Sequence, residues 1–203
     1  MEVSGFKFIL ASASPRRARI LEQLGMKFEV IAAEVDEVLP PGVPPGEAVM
    51  QLAMAKAGDV GKRIGSGFPA VIIGADTVVA HGGRIMGKPA SRQEALDMLT
   101  RLQGSWHQVF TGVGIVGYTP EGSRFEGSCH EMTRVRMAHL REEQIRAYIR
   151  TGEPMDKAGA YGIQERGAML VERIEGCFFN VMGLPVYRFA RLMADLGLPL
   201  LGK

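Results

Sequence analysis

Residues 8–17 read Phe-Ile-Leu-Ala-Ser-Ala-Ser-Pro-Arg-Arg. The apolar run that opens this stretch is typical of a buried strand, which we predict over residues 6–11. Ser14 followed by Pro15 favours a helix start, because serine can cap the first amide groups and proline fits the first turn. The sequence therefore predicts a buried strand, a serine turn and a helix in immediate succession.

Three arginines, Arg16, Arg17 and Arg19, fall in the first turns of that predicted helix. The N-terminus of a helix carries partial positive charge, so each cation there costs about 0.3–1 kcal/mol. A bound anion would remove this conflict, because amide groups and guanidinium groups together bind phosphate. The segment is therefore either a phosphate site or a solvated basic turn, and both interpretations stay open at this point.

Apolar segments and glycine or proline turns alternate along the rest of the chain. A Pro/Gly-rich loop is predicted over residues 40–46, and a glycine-punctuated functional loop over residues 153–164. Strands alternate with helices early, and longer antiparallel strands follow in the middle, which predicts a mixed α/β sheet split around a groove. The predicted helices cover 15–24, 47–62, 91–103, 141–150 and a last segment from 185, and the predicted strands cover 6–11, 28–32, 70–79, 106–118, 124–137 and 168–174.

Composition limits the classes of protein to consider. The 203 residues are 46% hydrophobic and 23% charged, which suits one large domain or two lobes that share a cleft. The net charge of +2 is too balanced for a general nucleic-acid-binding protein. No apolar stretch approaches the ~20 residues of a membrane span. We therefore expect neither a nucleic-acid partner nor a membrane partner.

Two further features bear on the cellular compartment. The apolar run at 6–11 is interrupted by Lys7 and is too short for a secretory signal. Cys129 and Cys177 make neither a disulfide framework nor a zinc site with four ligands. We expect both cysteines to be reduced and buried, and the protein to be cytoplasmic.

Two charged residues stand out against apolar surroundings. Lys56 falls on the apolar stripe of the helix predicted over 47–62, so it either extends from the edge of the stripe to solvent or reaches a cleft. Asp76 follows an apolar run of a predicted strand. It either caps a turn and holds Thr77, or it binds a divalent metal or activates water. Ligands of open α/β sheets bind beyond the carboxyl ends of strands, which favours the functional interpretation.

Other polar residues extend this set of candidates. Glu34, Asp36 and Glu37 form either a solvated loop or a further group of oxygen ligands. Lys88, held extended by the proline that follows, is either a surface lysine or part of the site. Gln164 can present a donor and an acceptor to the edge of a base. Arginines, lysines and carboxylates in these numbers suit a polyphosphate with a metal better than acyl or glycosyl transfer.

Several alternative chemistries lack their motifs. The sequence has no G-x-x-x-x-G-K-[ST] phosphate loop and no G-x-S-x-G nucleophile turn. The spacing of its four histidines does not match that of metal ligands. These histidines are His81, His107, His130 and His139. A P-loop kinase or GTPase, a serine hydrolase and a histidine-based metal site are therefore disfavoured.

Six segments resemble, in order, the motifs of the Maf family. They are LASASPRR at 10–17, GADTVV at 74–79, GKP at 87–89, FTGV at 110–113, DKAGAYGIQ at 156–164 and VMGLP at 181–185. The resemblance implies an α/β protein similar to Maf and ITPase folds, with a mixed, elongated, twisted sheet, helices and two lobes around a central cleft. It implies one such domain over residues 1–203, and a homodimer.

The resemblance also implies an activity. Maf-like enzymes are nucleoside triphosphate pyrophosphatases that release a nucleoside monophosphate and pyrophosphate with a divalent metal, Mg²⁺ or Mn²⁺. The segment at 156–164 resembles the branch that acts on dTTP and UTP. Two alternatives remain: the sister branch that acts on 7-methyl-GTP, and a nucleotide-sensing regulator of septum formation without catalysis.

Motif by motif, the resemblance implies a role for each candidate residue. Asp76 becomes the general base or a metal-linked carboxylate, and Glu37 joins it on the metal side. Thr77 and Gln164 help to select the base, together with Arg16. The residues implied for phosphate binding are Ser12, Arg16, Arg17, Lys56 and Lys88.

Overall fold

The computed structural model describes residues 5–37 and 42–201. Residues 40 and 41 of the predicted loop at 40–46 therefore lie outside the described residues. The strands are β1 (Lys7–Ala11), β2 (Glu29–Val30), β3 (Ala70–His81), β4 (Arg84–Met86), β5 (Trp106–Tyr118), β6 (Arg124–Met137) and β7 (Val171–Glu175). The α-helices are α1 (Pro15–Gln23), α2 (Pro45–Ile64), α3 (Arg92–Leu102), α4 (Glu142–Arg150), α5 (Phe178–Met182) and α6 (Val186–Asp195), and 3₁₀ turns cover Glu153–Asp156, Ala158–Ala160 and Glu165–Leu170.

The strands of the described residues form a seven-stranded sheet in the order β2-β1-β3-β5-β6-β7, with β4 paired to β3. β1 runs parallel to both β2 and β3. β4 runs antiparallel to β3, and β7 antiparallel to β6. The predicted class, a mixed α/β sheet, is confirmed.

The chain divides into two compact units. The first comprises the described residues of Met1–Asp76, Thr111–Glu131 and Gly183–Lys203, and the second comprises Thr77–Phe110 and Met132–Met182. β3, β5 and β6 each contribute residues to both units, whereas β1, β2 and α2 belong to the first. The cleft that the sequence analysis places between two lobes stays a prediction.

Each unit has an apolar core of its own. In the first, β1, β3 and α2 bring together residues such as Ile9, Ile72 and Val60, all fully buried. In the second, a larger cluster includes Leu99 of α3 and Tyr148 of α4. Burial of such side chains, worth about 1.5–3 kcal/mol each, holds the strands and helices in register within each unit.

The backbone of α2 lies directly against the sheet of the first unit. A Cβ atom on Gly74 of β3 would lie 2.1 Å from the carbonyl oxygen of Ala53, and one on Gly112 of β5 would lie 2.3 Å from that of Val49. Real Cβ contacts are never this short, so any side chain at either position would push the helix away. The glycines thus allow the close approach that places Lys56 of α2 beside β3.

Some element boundaries differ from the sequence predictions. β2 is limited to Glu29–Val30 instead of 28–32, and both of its residues are exposed. The last strand begins at Val171 rather than 168, because a 3₁₀ turn occupies Glu165–Leu170. α5 (Phe178–Met182) was not predicted, since five residues are too few to show helical periodicity. Ser14 is the N-cap of α1, as predicted, but its side chain makes no capping hydrogen bond.

Two further expectations concern membrane-spanning helices and the two cysteines. Within residues 5–37 and 42–201, no helix combines the length and the apolar character needed to cross a bilayer. Cys129 and Cys177 are free thiols, as expected, but both are half-buried rather than buried. Burial raises the pKa of the Cys129 thiol to about 11, which keeps it protonated.

Candidate functional site

Lys56 is the centre of the candidate site in the first unit. Its Nζ donates hydrogen bonds to Glu37 Oε1 and to Asp76 Oδ1, each at 2.6 Å. Lys56 and Asp76 are each only 7% exposed, whereas the Glu37 side chain is 47% exposed. Lys56 therefore does not extend to solvent from the edge of its helix. It is a buried cation that joins one buried carboxylate to one accessible carboxylate.

Asp76 lies inside β3 rather than at a turn. The strand continues for five residues beyond it, to His81, so a role in capping a turn is wrong. The residue is placed by two features of the first unit: the pairing of β3 with β1, and the close approach of α2 that brings Lys56 to it. Burying a carboxylate is costly without a partner, and the ammonium group supplies that partner.

Arg17 connects two loops of the first unit. Its Nη1 donates to Ser12 Oγ at 2.9 Å, and its Nε donates to the carbonyl oxygen of Gly183 at 2.8 Å. Burial lowers the pKa of the Arg17 guanidinium, and the nearby negative charge of Asp76 opposes that shift. A solvated basic turn is therefore the wrong interpretation for Arg17, although Arg19 is exposed and Arg16 is half-buried.

The three acids at 34–37 separate in the structure. Glu37 contacts Lys56, whereas Glu34 lies 3.3 Å from Nη1 of Arg63, and Asp36 is exposed. Only Glu37 therefore belongs to the candidate site by its contacts. The sequence could not separate the three, because neighbouring residues of an irregular segment point in directions that only the fold decides.

The structure brings several of the predicted site residues together and leaves others in the second unit. Connected by the hydrogen bonds above are Ser12 with Arg17, and Glu37 with Lys56 and Asp76. Thr77, Lys88 and Gln164 belong to the second unit. Thr77 is half-buried and Lys88 is exposed.

Glu37 and Asp76 offer the donor atoms for a divalent cation. Both carboxylates already lie within hydrogen-bond distance of one nitrogen, and oxygen ligands of this kind suit Mg²⁺ and Mn²⁺. Within the described ranges, no group of three or more His, Cys, Asp or Glu residues is arranged to hold a metal. The residues therefore fit a cation that one or two carboxylates bind together with phosphate oxygens, the usual arrangement for Mg²⁺ beside a nucleotide.

Gln164 has the features of a residue that contacts a ligand in the second unit. Both polar atoms of its side-chain amide are buried, and neither has a hydrogen-bond partner among the described residues. Leaving a buried amide unpaired costs about 1–3 kcal/mol per group. The amide can still offer one acceptor and one donor, which matches the sequence-based expectation for this residue.

The residues that hold the loop at 153–164 were not predicted from the sequence. Glu153 accepts hydrogen bonds from the backbone amides of Arg166 and Gly167, 13 and 14 residues later. Tyr148 of α4 donates to the same carboxylate at 2.8 Å. No periodicity or motif marks such contacts, because they depend on how a loop folds back on itself.

Comparison with known proteins adds information on ancestry. The profile of a protein family described as "Maf-like protein" matches residues 7–196. A dTTP/UTP pyrophosphatase from Acetivibrio thermocellus is 46% identical over 201 residues, which cover 97% of this chain and 98% of that protein. One from Symbiobacterium thermophilum is 48% identical over 195 residues, 96% of each chain. One from Caldicellulosiruptor saccharolyticus is 43% identical over 202 residues, 96% of this chain and 97% of that protein.

Proposed function

This chain belongs to the Maf family, and on that basis we propose that it hydrolyses dTTP and UTP to the nucleoside monophosphate and pyrophosphate. The observation in the structure that supports this activity is the buried ammonium group of Lys56, held 2.6 Å from both Asp76 and Glu37. Relatives named for this activity match nearly the whole chain, which supports the same reaction here.

Asp76 is the proposed general base. Hydrolysis forms a bond between the oxygen of water and the α-phosphorus and breaks the bond from that phosphorus to the bridging oxygen. The proton of the attacking water passes to the Asp76 carboxylate, and pyrophosphate leaves. Lys56 holds this carboxylate in place through its 2.6 Å hydrogen bond. A positioned general base accelerates such a step by about 10²–10⁴-fold.

The basic residues are the proposed phosphate ligands. Charge-assisted hydrogen bonds from guanidinium and ammonium groups stabilise both the bound triphosphate and the charge that develops on the leaving pyrophosphate. Arg17 would act partly through Ser12, because its Nη1 already fixes that hydroxyl. The residues assigned to the phosphates are Ser12, Arg16, Arg17, Lys56 and Lys88.

A divalent cation, Mg²⁺ or Mn²⁺, is part of the proposal. Glu37 and Asp76 would hold it together with phosphate oxygens, and it would supply neutralisation of the phosphate charge. Glu37 suits this role because almost half of its side chain is exposed, so it can exchange its contact with Lys56 for another ligand.

Base selection is assigned to Gln164, with Thr77 and Arg16. A pyrimidine such as uracil or thymine presents an amide-like edge with one donor between acceptors. The unpaired amide of Gln164 can match one donor and one acceptor of that edge.

The homodimer and the cytoplasmic location stay predictions. Light scattering of the purified protein tests the dimer.

The test is product analysis with an Asp76→Asn variant. Wild-type protein with dTTP and Mg²⁺ should give dTMP and pyrophosphate, not dTDP and phosphate, on ion-exchange chromatography. Asp76→Asn should lower kcat by about 10²–10⁴-fold and largely keep nucleotide affinity. Asp59→Asn is the matched control, since Asp59 also lies on the first unit but pairs with Arg63 at 3.1 Å. Wild-type kcat in Asp76→Asn would contradict the assignment, and binding without any product would favour the nucleotide-sensing alternative.

A further inference from the structure

We propose that Glu153 is a positioning residue that orients Gln164 and thereby sets the selectivity for the base. This inference rests on the proposed function, in which Gln164 contacts the base. Glu153 itself has no part in that contact. It acts through the backbone on both sides of Gln164.

The carboxylate of Glu153 accepts hydrogen bonds from three donors. Tyr148 Oη donates to Oε1 at 2.8 Å, and the amide of Gly167 donates to the same oxygen at 3.0 Å. The amide of Arg166 donates to Oε2 at 3.2 Å. Both oxygens are therefore occupied by donors, and two of the donors are backbone amides that lie two and three residues after Gln164.

Tyr148 extends this network to the other side of Gln164. Its Oη accepts a hydrogen bond from the amide of Gly162 at 3.2 Å while it donates its own proton to Glu153. Burial and the hydrogen bond to Glu153 raise the pKa of Tyr148, so the hydroxyl keeps the proton that this arrangement needs. The backbone is thus fixed two residues before Gln164 and two residues after it.

The backbone between these fixed points is strained. Glu165 has φ +67°, in the left-handed region that residues other than glycine rarely adopt. Such a conformation persists only where surrounding contacts enforce it, and the two amides bound by Glu153 directly follow this residue. No hydrogen bond fixes the direction of the Gln164 side chain, because its buried amide has no hydrogen-bond partner among the described residues. Its direction therefore depends on the backbone that Glu153 fixes.

Glu153→Gln is the primary variant. It keeps the size of the side chain but replaces one acceptor oxygen with an NH₂ group, which cannot accept from a backbone amide. We expect the ratio of kcat/KM for dTTP to that for GTP to fall about tenfold, the effect of losing about one well-formed hydrogen bond to the base. Tyr148→Phe, which removes the hydroxyl between Glu153 and Gly162, should lower the same ratio.

Tyr161→Phe is the matched control within the same segment. Tyr161 Oη shares a buried hydrogen bond of 2.6 Å with His107 Nε2, so this variant also removes a buried hydroxyl but leaves every contact of Glu153 intact. The variant should lower the melting temperature without changing the ratio of dTTP to GTP. An equal fall of selectivity in Tyr161→Phe would overturn the proposal, because any loosening of the segment would then suffice.

A double-mutant cycle tests whether Glu153 acts through Gln164. In a Gln164→Ala background, Glu153→Gln should cause no further loss of selectivity, because the group that it orients is gone. Losses that multiply, or a uniform loss of kcat/KM for all nucleotides, would overturn the positioning role. A residue with a merely structural role would lower stability in both backgrounds and leave the ratio unchanged.

Hydrogen exchange separates this inference from the proposed function. The amides of Gly162, Arg166 and Gly167 should exchange faster in Glu153→Gln than in the wild type, with no nucleotide present. Unchanged exchange at these amides would overturn the positioning role whatever the turnover. Absence of turnover by the wild-type protein would instead contradict the proposed function.

Discussion

Lys56 shows how one side chain can serve both stability and chemistry. Its ammonium group lies between a buried carboxylate, Asp76, and an accessible one, Glu37. The same contact that makes Asp76 tolerable inside the first unit also directs that carboxylate. A change at Lys56 should therefore affect the free energy of unfolding as well as turnover.

Lys56→Met should lower the free energy of unfolding by about 3–5 kcal/mol, because Asp76 would remain buried without its counter-charge. Lys62→Met provides the control, since Lys62 lies on the same helix but is exposed and should change stability by less than about 0.5 kcal/mol. Urea unfolding of the two variants measures the difference. Equal stabilities would show that the buried ion pair has no structural role.

At the residue scale, the sequence pointed to charged residues in unusual positions, but not to the groups that they contact. Lys56 and Asp76 could be selected because a charge stood in an apolar pattern, and Arg17 because cations oppose a helix N-terminus. Which of the acids at 34–37 would meet Lys56 depended on the path of an irregular segment. Glu153 lies in the predicted loop, but its own role could not be predicted, because the two backbone amides that it accepts from lie 13 and 14 residues away along the chain.

Helix α2 is the element on which the first unit's candidate site depends. Its backbone packs on Gly74 and Gly112 without any side chain between, and this places Lys56 within reach of β3. The position of the ammonium group is therefore set by the distance between helix and sheet. That distance can be changed by a single methyl group.

Gly74→Ala should destabilise the protein by about 1–3 kcal/mol and lower kcat, because the new Cβ would force α2 away from β3. Gly58→Ala is the control, because Gly58 lies on α2, the helix that packs on Gly74. A Cβ at Gly58 meets nothing within 4 Å, and alanine is favoured over glycine in helices by about 0.5–1 kcal/mol, so this variant should be slightly more stable. Melting temperatures and kcat of both variants provide the measurement. Wild-type kcat in Gly74→Ala would show that the site tolerates displacement of the helix.

At the element scale, long segments were predicted well and short segments poorly. The helix predicted over 47–62 is found at Pro45–Ile64, and the strands predicted over 106–118 and 124–137 have those bounds. β2 and α5 were misjudged because two or five residues carry no periodicity. The close packing of α2 on glycines could not be predicted either. A glycine in a strand indicates that some group approaches the backbone closely, but it does not indicate which group.

Stability of the whole molecule should depend on pH through His107. This residue is 2% exposed on β5, and burial lowers its pKa to about 4, with a smaller effect of His81 in the same direction. The unfolded chain therefore binds a proton below pH about 6.5 while the folded protein does not. Above pH about 6.5, protonation of His107 in the unfolded chain takes nothing from the free energy of unfolding. Below it, the free energy of unfolding falls as pH falls towards 4, by about 1.4 kcal/mol per pH unit in the steepest range.

His107→Gln should remove this dependence, because glutamine does not titrate. We expect the free energy of unfolding of the wild type to fall by about 3 kcal/mol between pH 6.5 and pH 4 from this source, and the slope to be smaller in the variant. His139→Gln, the same substitution at an exposed position, is the control variant. Urea unfolding at several pH values tests this, and identical slopes for wild type and His107→Gln would contradict it.

At the scale of the whole molecule, the alternation of strands and helices was enough to predict the mixed α/β class. The sharing of β3, β5 and β6 between two compact units was not predictable, because nothing in a continuous apolar strand marks where one core ends and another begins. Motif resemblance led to the family, and the residue patterns alone had led only to polyphosphate chemistry with a metal.

We propose above that this chain cleaves pyrimidine nucleoside triphosphates to release pyrophosphate. Its most direct test is pyrophosphate release from dTTP, UTP, CTP, GTP, ATP and 7-methyl-GTP, with and without Mg²⁺ or Mn²⁺, by the wild type and by Gln164→Glu. We predict metal-dependent release led by dTTP and UTP, and a selective loss of both in the variant. Release led by 7-methyl-GTP would contradict the pyrimidine preference, and no release with any nucleotide and metal would contradict the activity itself.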